Sequence, residues 1–208
     1  MTHARSFVYL ASQSPRRQQL LAQLGVDHRP LLPDAAEDAE ALEALRPGEL
    51  PGDYVARVTR AKLRAARERL GRRGLPVAPI LCADTTVALG KAILGKPADA
   101  DEARRTLAAL SGRTHRVLTA VAVWSGQRTR CVTQVSHVRV DRLEPAVIQA
   151  YVDSGEPFGK AGAYAIQGAL AGWIAHIDGS HSGIMGLPLC ETRQLLLQAG
   201  VRVGLVAP

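Results

Sequence analysis

Apolar and polar positions follow two alternating rhythms along this chain of 208 residues. An unbroken run from Phe7 to Ala11 reads as a strand and stops at the polar turn Ser12-Gln13-Ser14. Pro15 then opens a helical pattern to Leu24, stopped by Gly25. Proline suits a first helical position because the N–H it lacks would be unpaired there. Val26–Leu32 predicts a second strand, and the acidic, Pro- and Gly-punctuated stretch Asp34–Gly52 a loop or short helix. Asp53 can cap a long helix over Tyr54–Leu70, which Gly71–Gly74 breaks. Pro79–Leu89 predicts a buried strand, and Gly90-Lys91 a hairpin turn leading through Ile93-Leu94 to Gly95-Lys96-Pro97. Asp99-Ala100-Asp101-Glu102 is a capping-box pattern, and Gly112 closes its helix. Thr114–Trp124 and Cys131–Val140 flank a Ser-Gly turn and predict an antiparallel hairpin. Glu144–Val152 predicts a helix, Ala171–Ile177 a strand, and Leu189–Ala199 a last helix ended by Gly200. Strands alternate with helices, but hairpins interrupt them. The fold class is therefore α/β with a mixed sheet.

Composition narrows the class. The chain can hold one sizeable core or two closely packed lobes, and 47% hydrophobic with 22% charged residues is ordinary for a soluble globular protein. Disorder is expected at most at the ends and in Asp34–Gly52. No apolar run reaches the roughly 18 residues of a membrane span, and Met1–Arg5 leads straight into the first strand, unlike a signal peptide. Three widely spaced cysteines, Cys82, Cys131 and Cys190, argue against a disulfide framework and for a cytoplasmic location. The net charge of +7 makes nucleic acid one reading. The basic residues are scattered, however, and aromatics make up only 4%, which supplies a stacking platform poorly. A small polyanion such as a nucleotide is the better-supported partner.

Candidate chemistry concentrates at a few points. A helix N-terminus attracts anions through its free N–H groups and its dipole. Ser12 or Ser14 can cap those groups, and Arg16 and Arg17 add planar, permanently charged forks. Leu10–Arg17 therefore reads as a phosphate grip. Asp84 follows the apolar Ile80–Ala83, where a carboxylate is costly unless paired or used. It can bind Mg²⁺, accept a proton from attacking water, or cap a turn. Thr85 and Thr86 can hydrogen-bond a substrate or serve as β-formers. Lys96 is a point charge between two backbone-fixing residues, while Lys62 alone reads as a solvated helix face. His115 can be a general base or a structural histidine. The window 156–172 holds Gly159, Gly162, Gly168 and Gly172, with Lys160 for charge and Gln167 for a base edge. No Walker or dinucleotide glycine loop, nucleophile elbow or zinc-ligand pair is present.

The motifs Leu10-Ala11-Ser12-Gln13-Ser14-Pro15-Arg16-Arg17, Ala83-Asp84-Thr85-Thr86-Val87, Gly95-Lys96-Pro97, Ser111-Gly112-Arg113-Thr114-His115, Lys160-Ala161-Gly162-Ala163-Tyr164-Ala165-Ile166-Gln167-Gly168 and Gly186-Leu187-Pro188-Leu189 stand in order along the chain. Together they resemble the Maf family of nucleoside triphosphate pyrophosphatases, from about residue 7 to residue 197. The resemblance implies a Maf/inosine triphosphate pyrophosphatase-like fold, with an elongated mixed sheet flanked by helices and two lobes around a central cleft, all within one domain over 1–208. It implies cleavage of a nucleoside triphosphate to monophosphate and pyrophosphate with a divalent cation, Mg²⁺ or Mn²⁺. The branch it most resembles acts on dTTP and UTP.

By the same resemblance Asp84 is the proton acceptor and a metal ligand, and Arg16, Thr85 and Gln167 set base specificity. Ser12, Ser14, Arg17, Lys62 and Lys96 face the phosphates. Glu37 falls where the family carries the second acid of a paired-acid motif and is a metal or water contact, although Ala36 replaces the first acid. Gly159 and Ala165 depart from the family's Asp and Gly. A homodimer is implied, and neither a membrane nor a nucleic acid is expected as a partner. Alternatives are a 7-methyl-GTP or broad-specificity pyrophosphatase and, in another class, a septum-formation regulator that binds nucleic acid.

Overall fold

The computed structural model describes residues 7–34, 37–38 and 41–204. The expectation of disordered chain ends and the Ala36 departure lie outside these residues. The chain runs β1 (Val8–Leu10), α1 (Pro15–Gln23), β2 (His28–Pro30), α2 (Pro51–Arg72), β3 (Ile80–Leu89), β4 (Ala92–Leu94), α3 (Ala100–Leu110), β5 (Thr114–Trp124), β6 (Thr129–Val140), α4 (Pro145–Asp153), β7 (Ile174–Asp178), α5 (His181–Ile184) and α6 (Leu189–Gln198). The strands form one seven-stranded sheet in the order β2-β1-β3-β5-β6-β7, with β4 beside β3. β1 runs parallel to β2 and β3, and the remaining pairs are antiparallel. The expected mixed α/β sheet flanked by helices is what forms.

Period-two alternation along β3 shows how the sequence builds the core on both faces. Ile80 and Cys82 pack with Leu63, Ala66 and Leu70 of α2. Leu81 and Ala83 face the other way, onto Leu20 and Leu21 of α1 and Leu195 and Leu196 of α6. Further along, Val87 joins Leu107 of α3 and Ile148 of α4. Asp99 caps α3 by accepting from Glu102 N at 2.7 Å, and Glu102 accepts in return from Ala98 N at 2.8 Å. The first bond is the cap the sequence predicts, and the second closes on the residue before the N-cap rather than on Asp99 itself.

Three elements differ from expectation, and a fourth, α5, lies where the sequence reading placed no element. α2 starts at Pro51 rather than after Asp53. Proline takes the first turn, and Asp53 lies inside that turn near the positive end of the helix dipole. β2 is only three residues long, because its polar His28 and Arg29 sit at the sheet's rim and leave little to bury. Residues 169–173 form a 3-10 turn before β7, held at its start by a side chain discussed below. Finally, α5 is a single turn capped by Ser180, whose hydroxyl accepts from Gly183 N at 3.0 Å.

Candidate active site

One edge of β3 is covered by β5 from Ile80 to Ala88. The other edge is interrupted: β1 pairs with Ile80 and Leu81, and β4 pairs with Val87, Ala88 and Leu89. Among the described residues no strand covers Cys82–Thr86 on that side. Asp84 and Thr85 lie in this gap, which opens into a cleft of 470 Å³, a volume that suits a small organic ligand. Consecutive strand residues project to opposite faces. Asp84 therefore meets α2 and Thr85 meets α1, yet both line the cleft.

On the α1 side, Arg17 is held at three points. Its Nε donates to Gly186 O at 2.8 Å, one terminal nitrogen to Ser12 Oγ at 3.2 Å and the other to Thr85 Oγ1 at 3.3 Å. Thr119 donates its only hydroxyl proton to Gly183 O at 2.7 Å. Thr85 must therefore be the donor in its 3.0 Å contact with Thr119, which leaves its oxygen to accept from Arg17. This chain of bonds fixes the guanidinium plane. Burial lowers the pKa of Arg17, with the Asp84 charge opposing the shift. Ser14 stands at the N-cap position of α1, but no side chain caps that helix. Ser12 instead braces the turn by accepting from Ser14 N at 3.2 Å. The first N–H groups of α1 thus keep their capacity for an anion. Arg16 also lines the cleft and has no hydrogen-bond or ion-pair partner among the described residues.

On the α2 side, Lys62 Nζ donates to Asp84 Oδ1 at 2.5 Å and to Glu43 Oε1 at 2.7 Å. Lys96 Nζ donates to Glu43 Oε2 at 3.0 Å. Burial works to lower the Lys62 pKa, but Asp84 and Glu43 outweigh it and hold the ammonium charged. Burial likewise works to raise the Glu43 carboxyl, and Lys62 and Lys96 bring it below the usual range. The surface reading of Lys62 fails because α2 turns this residue inward against two carboxylates. Glu43 has no signal in the sequence. It belongs to the polar stretch before α2 and meets its partners only after the chain folds back. Tyr54 Oη and Arg57 of α2 anchor that turn, donating to Glu43 O and Ala44 O, each at 2.9 Å.

Lys160 and Gln167 reach the cleft from the glycine-rich segment. This segment docks through Gly162, which donates to Gly95 O at 3.0 Å. A Cβ on Gly162 would come within 2.7 Å of Val87. Gly159 has φ +72°, so its departure from Asp falls at a left-handed position. Ala165 does not, and among the described non-glycine residues the left-handed conformation belongs to Ala163 (φ 58°). His115 takes its structural reading. It is buried, its Nε2 lies 2.7 Å from Tyr164 Oη, and burial lowers its pKa to about 4.

Glu37 has other partners than a metal. Both its oxygens accept from Arg69, at 2.8 and 2.5 Å, and Oε1 also accepts from Arg72 at 2.7 Å. Arg69 is buried, donates to Leu31 O at 2.7 Å and lines the cleft, whereas Glu37 is not among the lining residues. Hydrogen bonds from Arg69 pull the Glu37 carboxyl from its ordinary 4.5 down to about 2. A depressed folded-state pKa contributes stability that is complete above about pH 4.5 and is lost as pH falls toward about 2. Glu37→Gln should flatten the fall of the thermal midpoint across that window, which calorimetry in acid buffers measures. Equal slopes for the two proteins would contradict the pairing.

The carboxylates of the cleft also bear on a cation. Asp84 and Glu43 share one ammonium, so two carboxylates border one small volume. Hard divalent cations take one or two such groups and complete their shell with phosphate oxygens and water. Both oxygens of Glu43 already accept from Lys62 and Lys96, whereas Asp84 Oδ2 has no hydrogen-bond partner among the described residues, so the residues present fit a hard divalent cation at Asp84.

The family model described as Maf-like protein matches residues 7–199. A protein of Albidiferax ferrireducens named dTTP/UTP pyrophosphatase is 60% identical over 95% of this chain and 98% of its own length. A Polaromonas protein of the same name is 61% identical over 96% and 99%, and one from Cupriavidus metallidurans is 60% identical over 94% and 98%. The match spans the β1–α1 turn, the interrupted edge of β3 and the glycine-rich segment alike, and on that extent the chain belongs to the Maf family.

Proposed function

We propose that this chain hydrolyses dTTP and UTP to the nucleoside monophosphate and pyrophosphate. The observation that carries this reading is the convergence on one cleft of the Asp84 carboxylate with Arg17, Lys62 and Lys96, each positioned by a different element. The names of relatives at about 60% identity over nearly the whole chain support the choice of substrate.

In this reading the triphosphate lies across the cleft with its α-phosphorus near Asp84. A water oxygen bonds to that phosphorus, Asp84 takes the water's proton, and the bond to the bridging oxygen of the β-phosphate breaks. Pyrophosphate leaves as one piece. Arg17, Lys62, Lys96 and the open N-terminus of α1, with Ser12 and Ser14 at its turn, face the phosphate oxygens and spread the charge that develops on them. Asp84 is the proposed metal ligand, with Glu43 beside it. Glu37 would reach a cation only by releasing Arg69 and Arg72. A bound divalent cation supplies charge neutralisation at the phosphates.

Base choice falls to Arg16, Thr85 and Gln167. Gln167 can accept from N3–H and donate to O4 of thymine or uracil with the two ends of its amide. Residues 1–208 form one domain in this reading, with two lobes meeting at the cleft, and the protein works in the cytoplasm, as a homodimer. No helix among the described residues is long and apolar enough to cross a membrane.

A panel of triphosphates that includes dTTP, UTP, CTP, GTP and 7-methyl-GTP, with pyrophosphate detection in Mg²⁺ and in Mn²⁺, tests the substrate. The highest kcat/KM is expected for dTTP and UTP. Gln167→Glu removes the amide donor and should lower the dTTP-to-GTP ratio about ten-fold, the scale of one or two lost hydrogen bonds. A panel led by 7-methyl-GTP overturns the substrate reading, and an unchanged ratio overturns the role of Gln167.

A further inference from the structure

Gln167 is exposed, and its side chain has no hydrogen-bond partner among the described residues. Its direction therefore depends on the backbone beneath it. That backbone is held from outside the cleft by Glu156, just beyond α4. Glu156 Oε1 accepts from Tyr151 Oη at 2.8 Å, and Oε2 accepts from Ala169 N at 3.1 Å. The carboxylate thus ties α4 to the chain two residues after Gln167. It lies so close to Gly168 that a Cβ there would be 1.7 Å from Oε1. This is where residues 169–173 wind into their 3-10 turn. The main-chain oxygen of the same residue accepts from Lys160 Nζ. One residue thereby restrains both polar side chains that the glycine-rich segment brings to the cleft.

We infer that Glu156 is a positioning residue for base selection: it clamps the Gly168–Ala169 backbone so that Gln167 meets the pyrimidine edge at a fixed angle. The inference rests on the base-contact reading of Gln167. A purely structural glutamate would support the fold and every substrate equally. A positioning glutamate has an unequal effect, because loosening the clamp costs most for the substrate that needs a well-aimed amide. The chemistry of the clamp also predicts rescue. A glutamine at this position can accept from Ala169 N through its oxygen and donate to Tyr151 Oη through its nitrogen, so both contacts survive. An aspartate is one methylene shorter and cannot span both.

The experiment compares kcat/KM for dTTP and for GTP in wild type, Glu156→Ala, Glu156→Gln, Tyr151→Phe and Gln167→Ala, with thermal midpoints alongside. Glu156→Ala should lower the dTTP-to-GTP ratio about five-fold, the scale of a lost hydrogen bond. Tyr151→Phe should lower it less, and Glu156→Gln should hold it near the wild-type value. Should Glu156→Ala fail to fold, Tyr151→Phe carries the test, because it removes one clamp contact and keeps the ring in the core. A ratio moved by Gln167→Ala but by neither Glu156→Ala nor Tyr151→Phe overturns the clamp and leaves the role of Gln167 standing. A ratio moved by Glu156→Ala but not by Gln167→Ala overturns the base contact of Gln167 and, with it, the clamp as the means by which Glu156 acts. Equal losses for dTTP and GTP reduce Glu156 to a structural residue.

Discussion

Asp84→Asn lowers kcat for dTTP and UTP by about a thousand-fold, within the range a positioned general base supplies. The amide keeps the shape of the side chain and can still accept from Lys62, but it cannot take a proton from water. The substitution therefore separates chemistry from structure. Asp84 lies at the interrupted edge of β3, backed by β5 through its pairing with Ala120. That pairing is made by the backbone and is indifferent to the change. Lys62 retains Glu43 at 2.7 Å, so its ammonium is not left unpaired, and removal of a partner from an ion pair is damaging chiefly when the remaining charge is stranded. The thermal midpoint should thus stay close to that of the wild type. At saturating Mg²⁺, where loss of a proposed metal ligand is compensated, KM should hold or fall, because one negative charge has gone from beside the phosphates. Turnover, KM and midpoint measured together decide the matter. Wild-type-like kcat would remove Asp84 from the reaction, and a collapsed midpoint would make its role structural.

How much of this was legible in the sequence depends on how local each signal is. The β1–α1 turn was, because an apolar run, a serine pair, Pro15 and two arginines follow one another within eleven residues, 7–17. Asp84 was, since an acid directly after Ile80–Ala83 has to be paired or used. The helix capped by Asp99 and the β5–β6 hairpin were legible for the same reason. Glu43 was not. Its partners Lys62 and Lys96 lie 19 and 53 residues away in the chain, and its own surroundings read only as a polar loop. Thr119 was hidden differently: in a run of β-formers nothing distinguishes the threonine that supports Thr85 from its neighbours. Glu37 is the opposite case. Its place in a motif pointed to a cation, but sequence position does not reveal that two arginines of α2, Arg69 and Arg72, converge on it. The 3-10 turn at 169–173 escaped because the residue that starts it, Glu156, is 13 residues away from Ala169.

Arg17→Lys lowers kcat/KM for dTTP by about a hundred-fold and also lowers stability, by about 1–3 kcal/mol, the cost of leaving a buried polar group unsatisfied. The two losses share one cause. The guanidinium reaches Ser12, Thr85 and Gly186 from three separate nitrogens set in one plane. A lysine has all its donors on one atom and cannot span three acceptors that surround a plane. Gly186 joins α5 to α6, so loss of the bond to its carbonyl unties that connection from α1. Thr85 loses a donor and with it part of the constraint on its rotamer. For the reaction, removing one preorganised donor from the oxygen on which charge develops costs about 2.7–4 kcal/mol, and the retained positive charge of lysine recovers a part of that. Arg16 provides the internal control. It lines the same cleft on the same helix and has no hydrogen-bond or ion-pair partner among the described residues, so Arg16→Lys should leave the thermal midpoint in place while shifting the ranking of triphosphates. If Arg17→Lys keeps kcat/KM within a few-fold of wild type, the fork geometry is not what holds the phosphate. If Arg16→Lys destabilises the protein as much as Arg17→Lys, the division of labour between the two arginines is wrong.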